Sequence, residues 1–298
     1  MRNRRLAGHR LVRFFLILIS ALCPSFSNAQ SDATSRARNQ PVKPFRIIGN
    51  IYYVGASDVT SFLIVSPQGH ILLDSGFPET VPLIRDSVKE LGFKLEDIKV
   101  LINSHAHIDH VGGIALLKEL TGAKLMMSEA DAALASNGGK GDFQWGDLLS
   151  YRPAVADRIL RDNDKVELGG VTMTAHLTPG HTKGCTTWTM KVKEGDKLLD
   201  VVFVGSTTIP GYKLLNNSKY PNIVADYAHS FDLLKSLHCD VFLGPHGTFF
   251  SMKDKALKMG KGGKNPFIDP QGYVDFIRWT EKAYRDQLQR EQRSQGRN

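Results

Sequence analysis

Residues 105–110 read His-Ala-His-Ile-Asp-His and place four candidate metal ligands within six positions. The run follows the apolar stretch 99–103 and precedes a Gly112-Gly113 pair and apolar residues at helical spacing. It therefore predicts a turn between a buried strand and a helix, a common position for active-site residues in α/β proteins. Imidazole and carboxylate are the ligands that Zn²⁺ takes in catalytic sites. The run predicts a metal site at the end of a strand.

Two histidines farther along the chain have the same setting. His181 follows an alternating strand and a Pro-Gly turn, and His246 follows a short apolar strand and a Gly-Pro pair. The other five of the ten histidines have no comparable setting. The predicted ligand set is five histidines and one aspartate, enough for two zinc ions: His105, His107, Asp109, His110, His181 and His246.

The hydrophobic pattern predicts an α/β chain made of two β-rich halves. The predicted strands are 45–48, 51–54, 61–65, 70–74, 98–103 and 123–127 in the first half, then 165–168, 171–177, 185–192, 199–204 and 241–243. Helices are predicted at 79–91, 111–120, 223–237 and from about Gly272. We expect two sheets packed face to face with helices outside, so that ligands from both halves meet at one edge.

The Gly-rich segment 136–151 connects the two halves and carries Phe143 and Trp145. It is either a plain surface connection or a loop over the site. Its aromatic residues favour the second interpretation, because exposed aromatic side chains in a long loop often serve binding.

Residues 1–29 have the pattern of a cleaved signal peptide: five arginines, an apolar core at 14–22 and a small-residue cleavage site ending at Ala29. The apolar run is too short to span a bilayer. We expect export to the periplasm as a soluble protein, without stable membrane association. Residues 30–44 are polar and predict a flexible N-terminal arm, and residues 45–298 form the predicted domain.

The charge argues against a nucleic-acid partner. The chain has 38 basic and 30 acidic residues, and loss of the five leader arginines leaves 33 against 30. This balance is too even to predict a basic nucleic-acid surface. We expect a small-molecule substrate and a monomer.

The run His105-x-His107-x-Asp109-His110, with His181 in Pro-Gly-His-Thr and His246 in Gly-Pro-His-Gly, resembles the metallo-beta-lactamase superfamily. The resemblance extends from about Phe45 to the C-terminal helix. It implies a four-layer αββα sandwich and a site for two Zn²⁺. It also implies that His105, His107 and His181 bind the first zinc, and that Asp109, His110 and His246 bind the second.

The stretch Phe203-Val-Gly-Ser206 narrows the resemblance. Glyoxalase II-type thioesterases, and many lactonases and nucleases of the superfamily, carry a metal-bridging aspartate at the position of Ser206. The first two subclasses of zinc beta-lactamases carry a zinc-binding cysteine there. With serine at this position, the chain resembles the third subclass of zinc beta-lactamases. Members of that subclass often pair the cysteine at position 239 with one near the C-terminal helix, but Tyr273 stands there in this chain, so we predict no such disulfide.

The resemblance implies an exported zinc beta-lactamase that opens penicillins, cephalosporins or carbapenems with a zinc-bound hydroxide and no acyl-enzyme. Asp109 would orient the nucleophile and assist proton transfer. Ser206 and Thr208 are candidates to bind the substrate carboxylate, although ordinary strand-end hydroxyls explain them equally well. The alternatives are a lactonase or thioester hydrolase on the same scaffold, a nuclease, and a non-catalytic zinc-binding protein.

Overall fold

The computed structural model of the protein describes residues 35–296. The predicted signal peptide, Cys23 and the first residues of the predicted arm lie outside this range. Among residues 35–296, no helix is both long and apolar enough to cross a membrane.

The first half of the chain forms a seven-stranded sheet in sequence order, with the first four strands antiparallel and the last three added in parallel. Its strands are β1 (Phe45–Ile48), β2 (Ile51–Tyr53), β3 (Phe62–Ser66), β4 (Gly69–Leu73), β5 (Ile98–Ile102), β6 (Lys124–Ser128) and β7 (Arg158–Leu160). Its helices are α1 (Val81–Glu90), α2 (Ile108–Val111), α3 (Ile114–Thr121) and α4 (Glu129–Ser136).

The second half forms a five-stranded sheet in the order β12-β11-β10-β9-β8, in which β11 and β12 are the parallel pair. Its strands are β8 (Lys165–Leu168), β9 (Val171–Leu177), β10 (Thr186–Glu194), β11 (Lys197–Phe203) and β12 (Val241–Leu243). Its helices are α5 (Ile223–Ser236), α6 (Met252–Lys258) and α7 (Pro270–Gln295). A 3₁₀ turn at Gly247–Phe250 follows β12.

The two faces of each sheet pack against different layers, because successive side chains of a strand point to opposite sides. Phe62 and Ile64 of β3 belong to the same buried cluster as Trp188 of β10, so this cluster lies between the sheets. Leu63, between them in sequence, belongs to a second cluster with Ile84 of α1. On the far side, the Phe242 ring of β12 lies 5.1 Å from that of Phe276 in α7. The αββα prediction is confirmed.

Three elements were not predicted from the sequence: α4, β7 and α6. Helix α4 reads Glu-Ala-Asp-Ala-Ala-Leu-Ala-Ser and has no apolar stripe of large residues, and Leu257 of α6 is exposed. The predicted helix 111–120 is divided into α2 and α3 at Gly112 and Gly113. A Cβ at Gly113 would lie 2.4 Å from the Val81 side chain, so this close approach to α1 requires glycine.

The predicted arm over 30–44 makes defined hydrogen bonds to the rest of the chain from residue 36 onward. The amides of Ser57 and Asp58 donate to the carbonyls of Gln40 (2.9 Å) and Arg38 (3.0 Å). The Thr80 hydroxyl also bonds the Asn39 side chain, at 2.6 Å. The polar composition did not reveal this, because most of these bonds use backbone groups.

The cysteines agree with the prediction of no disulfide. Within residues 35–296, Cys185 and Cys239 are both buried and unpaired. Tyr273 stands where the resemblance implies a second cysteine, and its hydroxyl donates to the Leu234 carbonyl at 2.6 Å.

Candidate metal centre

Each predicted ligand follows the carboxyl end of a strand. The run 105–110 follows β5, His181 follows β9 and His246 follows β12. The structure brings the five imidazole rings together, with centroids 4.2 Å apart for His105 and His110, 4.5 Å for His105 and His181, and 5.0 Å for His110 and His246. The predicted ligands therefore form one continuous cluster at the ends of strands from both sheets.

One part of the cluster, the first half-site, consists of His105, His107 and His181. One ligand atom from each of these side chains lies within 4.8 Å of the other two. All three side chains are buried. These are the groups that the resemblance assigns to the first zinc.

The other part, the second half-site, consists of Asp109, His110 and His246. Asp109 Oδ2 lies 3.5 Å from His110 Nε2 and 3.7 Å from His246 Nε2. The half-sites are contiguous, because ligand atoms of His105, Asp109 and His110 also lie within 4.8 Å of one another.

The outward-facing nitrogens of the first half-site each have a polar neighbour within 3.5 Å. His105 Nδ1 lies 3.1 Å from the Ser104 hydroxyl, and His181 Nδ1 lies 2.8 Å from the Thr208 carbonyl. His107 Nε2 lies 3.5 Å from the Asp142 carboxylate. A metal-bound histidine usually donates its second N–H to such a neighbour. This leaves His105 Nε2, His107 Nδ1 and His181 Nε2 for a metal.

In the second half-site the corresponding neighbours are both carboxylates. His110 Nδ1 lies 3.4 Å from Asp74 Oδ2, and His246 Nδ1 lies 3.2 Å from Asp58 Oδ2. Asp74 directly follows β4 with a left-handed φ of 63°, and its other oxygen accepts the Ser104 amide at 2.6 Å. Both histidines therefore turn Nε2 toward Asp109.

Sequence reasoning missed Asp58, Asp74 and Asp142. Asp74 had a usable signal, because it ends the parallel neighbour of the strand that precedes the ligand run. Asp58 and Asp142 are single carboxylates in loops, and nothing in the local pattern distinguishes them.

The histidines of the cluster differ in the direction of their pKa shifts: burial lowers the pKa of His246, as it does for two histidines of the first half-site, and only the pKa of His110 is raised. Burial, followed by the charge of His110, lowers the pKa of His105 well below its ordinary value. Burial and the charge of His107 lower the pKa of His181 to about 3. Burial also disfavours charged His110, but Asp109 and then Asp74 outweigh it and raise the pKa of His110 to about 9. Burial would raise the pKa of Asp109, but His110 and His246 hold it well below its usual range.

The donor set fits Zn²⁺. Among residues 35–296, both ring nitrogens of His110 are buried without a hydrogen-bond partner, and such groups are costly unless they bind something. Five imidazoles and one carboxylate, with no thiolate among them, are typical of zinc that performs chemistry.

The segment 136–151 lies against this cluster, which supports the second of its two interpretations. Asp142 contacts His107, and Phe143 is buried with its ring 4.9 Å from those of Tyr212 and Tyr220. The Asp142 carboxylate also accepts the amides of Gln144 and Trp145. The segment is therefore folded around the carboxylate that faces the first half-site.

The predicted substrate contacts, Ser206 and Thr208, follow β11 and lie beside His181. The two hydroxyls are 3.3 Å apart, and the Thr208 hydroxyl is 3.3 Å from His181 Nδ1. Ser206 is buried and Thr208 is partly exposed. This position fits both hydroxyls that bind a substrate carboxylate and ordinary strand-end hydroxyls.

Comparison with known families agrees with this geometry. The family model for the metallo-beta-lactamase superfamily matches residues 54–246, which include every predicted ligand. The chain belongs to this superfamily. The resemblance to its third subclass is also confirmed among solved structures. The FEZ-1 metallo-beta-lactamase from Legionella gormanii is 45% identical, with a TM-score of 0.84, over 85% of this chain and 98% of that one.

A second solved structure is BJP-1 of Bradyrhizobium japonicum, described as a subclass B3 metallo-beta-lactamase. It is 38% identical with a TM-score of 0.82, and the match covers 86% of this chain and 97% of that one. The superfamily fold and its metallo-hydrolase character thus extend over nearly the whole described chain.

The curated sequence relatives are more varied and match over shorter stretches. A hydroxyacylglutathione hydrolase of Rhodopseudomonas palustris is 33% identical over 127 residues, covering 42% of this chain and 41% of that protein. The human mitochondrial persulfide dioxygenase ETHE1 is 28% identical over 113 residues, covering 38% and 35%. The chain spans between about a third and three-fifths of the length of the curated relatives it matches. These relatives share the superfamily but differ in their named activities.

Proposed function

We propose that the protein is an exported, zinc-dependent beta-lactamase that hydrolyses the amide bond of beta-lactam antibiotics and so confers resistance. The observation that carries this proposal is Ser206 after β11, beside a complete six-ligand cluster. Serine supplies neither the bridging carboxylate of the thioesterase type nor a zinc-binding thiolate. The likeness to beta-lactamase structures over nearly their full length supports the same substrate class.

Zinc held by the two half-sites would polarise the lactam carbonyl and lower the pKa of water to near neutral. Asp109 remains ionised throughout the neutral range, so its carboxylate can orient a nucleophilic water and assist transfer of the water proton to the ring nitrogen as the C–N bond breaks. No nucleophilic side chain is required, and hydrolysis proceeds without an acyl-enzyme.

Ser206 and Thr208 bind the substrate carboxylate in this proposal. Their hydroxyls lie side by side next to His181 and can donate to an anion. A carboxylate held there places the adjacent lactam ring close to the metal ligands, and this positioning lowers the entropic part of the barrier.

The test is a substrate panel on the purified mature protein: a carbapenem, a cephalosporin, a penicillin, a lactone and a glutathione thioester, each with and without a chelator. We expect ring opening of beta-lactams that the chelator abolishes and added zinc restores. Good turnover of the lactone or thioester with no beta-lactam hydrolysis would overturn the proposal.

A thioester hydrolase is the second candidate, favoured by the identity to hydroxyacylglutathione hydrolase. The lack of a carboxylate at position 206 argues against it. A non-catalytic zinc-binding protein would bind metal and turn over no member of the panel.

The proposed function includes export of the protein to the periplasm through a cleaved signal peptide. We expect cleavage after Ala29, so N-terminal sequencing of the protein from a periplasmic extract should begin at Gln30. Retention of the full-length chain in the cytoplasm would contradict it. Size-exclusion chromatography should show a monomer.

A further inference from the structure

The segment around Asp58 lies between the N-terminal arm and the loop that carries His246. On one side, the amides of Asp58 and Val59 both donate to the Arg38 carbonyl, at 3.0 and 3.2 Å. The Ser57 hydroxyl donates to the Ala37 carbonyl at 2.9 Å. The arm, residues 36–40, is therefore attached to this segment chiefly through its backbone.

On the other side, the same segment is attached to the His246 loop. The Gly247 amide donates to the Asp58 carbonyl at 2.7 Å, and the Thr60 amide donates to the Pro245 carbonyl at 3.2 Å. Val59 and His246 form an antiparallel bridge. The segment around Asp58 thus connects the arm to the loop that carries His246.

The Asp58 carboxylate makes this connection at the ligand itself. Its Oδ2 lies 3.2 Å from His246 Nδ1 and accepts Arg38 Nε at 3.1 Å. Its Oδ1 accepts the Thr248 amide at 2.9 Å. These two donors, one on each oxygen, fix the orientation of the Asp58 carboxylate. The Asp58 side chain is only 13% exposed.

We propose that Asp58 is the positioning residue for His246, and that the arm, residues 36–40, is an outer part of the second half-site because it holds Asp58 in place. With the Nδ1 proton donated to Asp58, Nε2 is the nitrogen left for metal, and the ring cannot rotate without losing that bond. The inference rests on the proposed two-metal function, but it concerns metal binding rather than the choice of substrate.

The Arg38 guanidinium contacts both members of the Asp58–His246 pair, since its Nε donates to Asp58 Oδ2 and its Nη2 lies 3.4 Å from His246 Nδ1. Its effects on metal binding oppose each other. Its bond to Asp58 helps to orient the carboxylate, whereas its positive charge repels a cation at the neighbouring site. Because these effects oppose each other, the backbone of the arm is the part that we expect to matter. Replacement of Arg38 by methionine keeps the carbonyl that Asp58 and Val59 use and removes the charge.

The experiment titrates metal-free protein with Co²⁺ and with Zn²⁺ against a chromophoric chelator, so that the two binding steps are resolved. The variants are Asp58→Asn, a chain beginning at Pro41, a chain beginning at Arg36 as the matched control, and Arg38→Met. Thermal unfolding of each metal-free variant is measured in parallel to separate metal binding from folding.

We expect Asp58→Asn to weaken the second binding step about 10- to 100-fold, the usual effect of losing an outer neighbour of a metal-bound histidine. The first step should be unchanged. The chain beginning at Pro41 should show a smaller loss, about threefold to tenfold, confined to the same step. The chain beginning at Arg36 should match the unmodified protein, and Arg38→Met should change the second step less than removal of the arm.

Equal second-step affinity in Asp58→Asn and unmodified protein would overturn the inference, as would equal weakening of both steps. If Arg38→Met reproduces the whole effect of removing the arm, the backbone attachment is not the cause and that part of the proposal is wrong. If the unmodified protein binds two metals but hydrolyses no beta-lactam, the proposed function fails and the inference stands.

Discussion

The two half-sites use the same imidazole chemistry but differ in what lies behind the rings. Behind the first are a hydroxyl, a backbone carbonyl and one loop carboxylate, Asp142. Behind the second are two carboxylates, Asp74 and Asp58, and a third carboxylate, Asp109, is itself a ligand. Negative charge therefore accumulates on one side of the cluster, although the resemblance assigns each side three ligands.

This difference accounts for the raised pKa of His110, whereas burial outweighs Asp58 and lowers the pKa of His246. In the metal-free protein His105 and His181 are neutral at pH 7, whereas His110 holds a proton between Asp109 and Asp74. The first half-site is therefore ready to accept a cation. The second half-site must release the His110 proton when it binds a cation.

The largest expected effects come from removing one ligand on each side. His181→Ala and His246→Ala should each lower kcat/KM for a beta-lactam by about 100- to 1000-fold, since each removes several kcal/mol of metal-assisted stabilisation. Metal analysis should show loss of one zinc from each variant while both still fold. Exposed His229 provides the control, because His229→Ala should retain two zincs and full activity.

Asp142→Asn tests the carboxylate behind the first half-site. We expect metal affinity at that half-site to fall about 10- to 100-fold, with the second unaffected, which is the reverse of the pattern expected for Asp58→Asn. Chelator competition measures both steps. Asp147→Asn, an exposed change in the same segment, is the control. Equal loss at both half-sites would mean that Asp142 supports the fold of the segment rather than one ligand.

The pH dependence of metal binding should distinguish the two sides. Because the pKa of His110 is raised to about 9, its proton must leave before metal binds. Between pH 7 and 9 the second-step affinity should rise about tenfold per pH unit, and the first should stay nearly constant because His105 and His181 are already neutral. Calorimetry in buffers of different ionisation enthalpy would count the protons released. Proton release in the first binding step alone would contradict the assignment of the protonated histidine to the second half-site.

The smallest expected effects concern Ser206 and Thr208. Loss of one hydroxyl that bonds the substrate should cost about 0.5–1.5 kcal/mol, or roughly twofold to tenfold, mostly in KM. Steady-state kinetics of Ser206→Ala and Thr208→Val would measure this, with metal content as the control because Thr208 also touches His181. Unchanged KM in both variants would mean that they are ordinary strand-end hydroxyls.

The sequence was sufficient to predict that these six side chains meet at one place, because each follows a strand and a turn that local patterns reveal. The carboxylates behind the rings could not be predicted in the same way. Asp58 and Asp142 reach His246 and His107 only after distant loops fold together, and their sequence neighbours carry no metal signal.

The same contrast applies to the fold. Strands with alternating apolar residues were predicted to within a few positions, whereas α4 was missed because small alanines give no amphipathic stripe. The arm was assigned as flexible because its side chains are polar. Its attachment to Ser57 and Asp58 uses backbone carbonyls, which composition does not report.

The most direct test of a two-part zinc centre is anomalous diffraction at the zinc edge from crystals grown with zinc. We expect two peaks: one within bonding distance of His105 Nε2, His107 Nδ1 and His181 Nε2, and one within bonding distance of Asp109, His110 Nε2 and His246 Nε2. A single peak shared by all six side chains, or zinc bound through the Nδ1 of His110 or His246, would contradict the account.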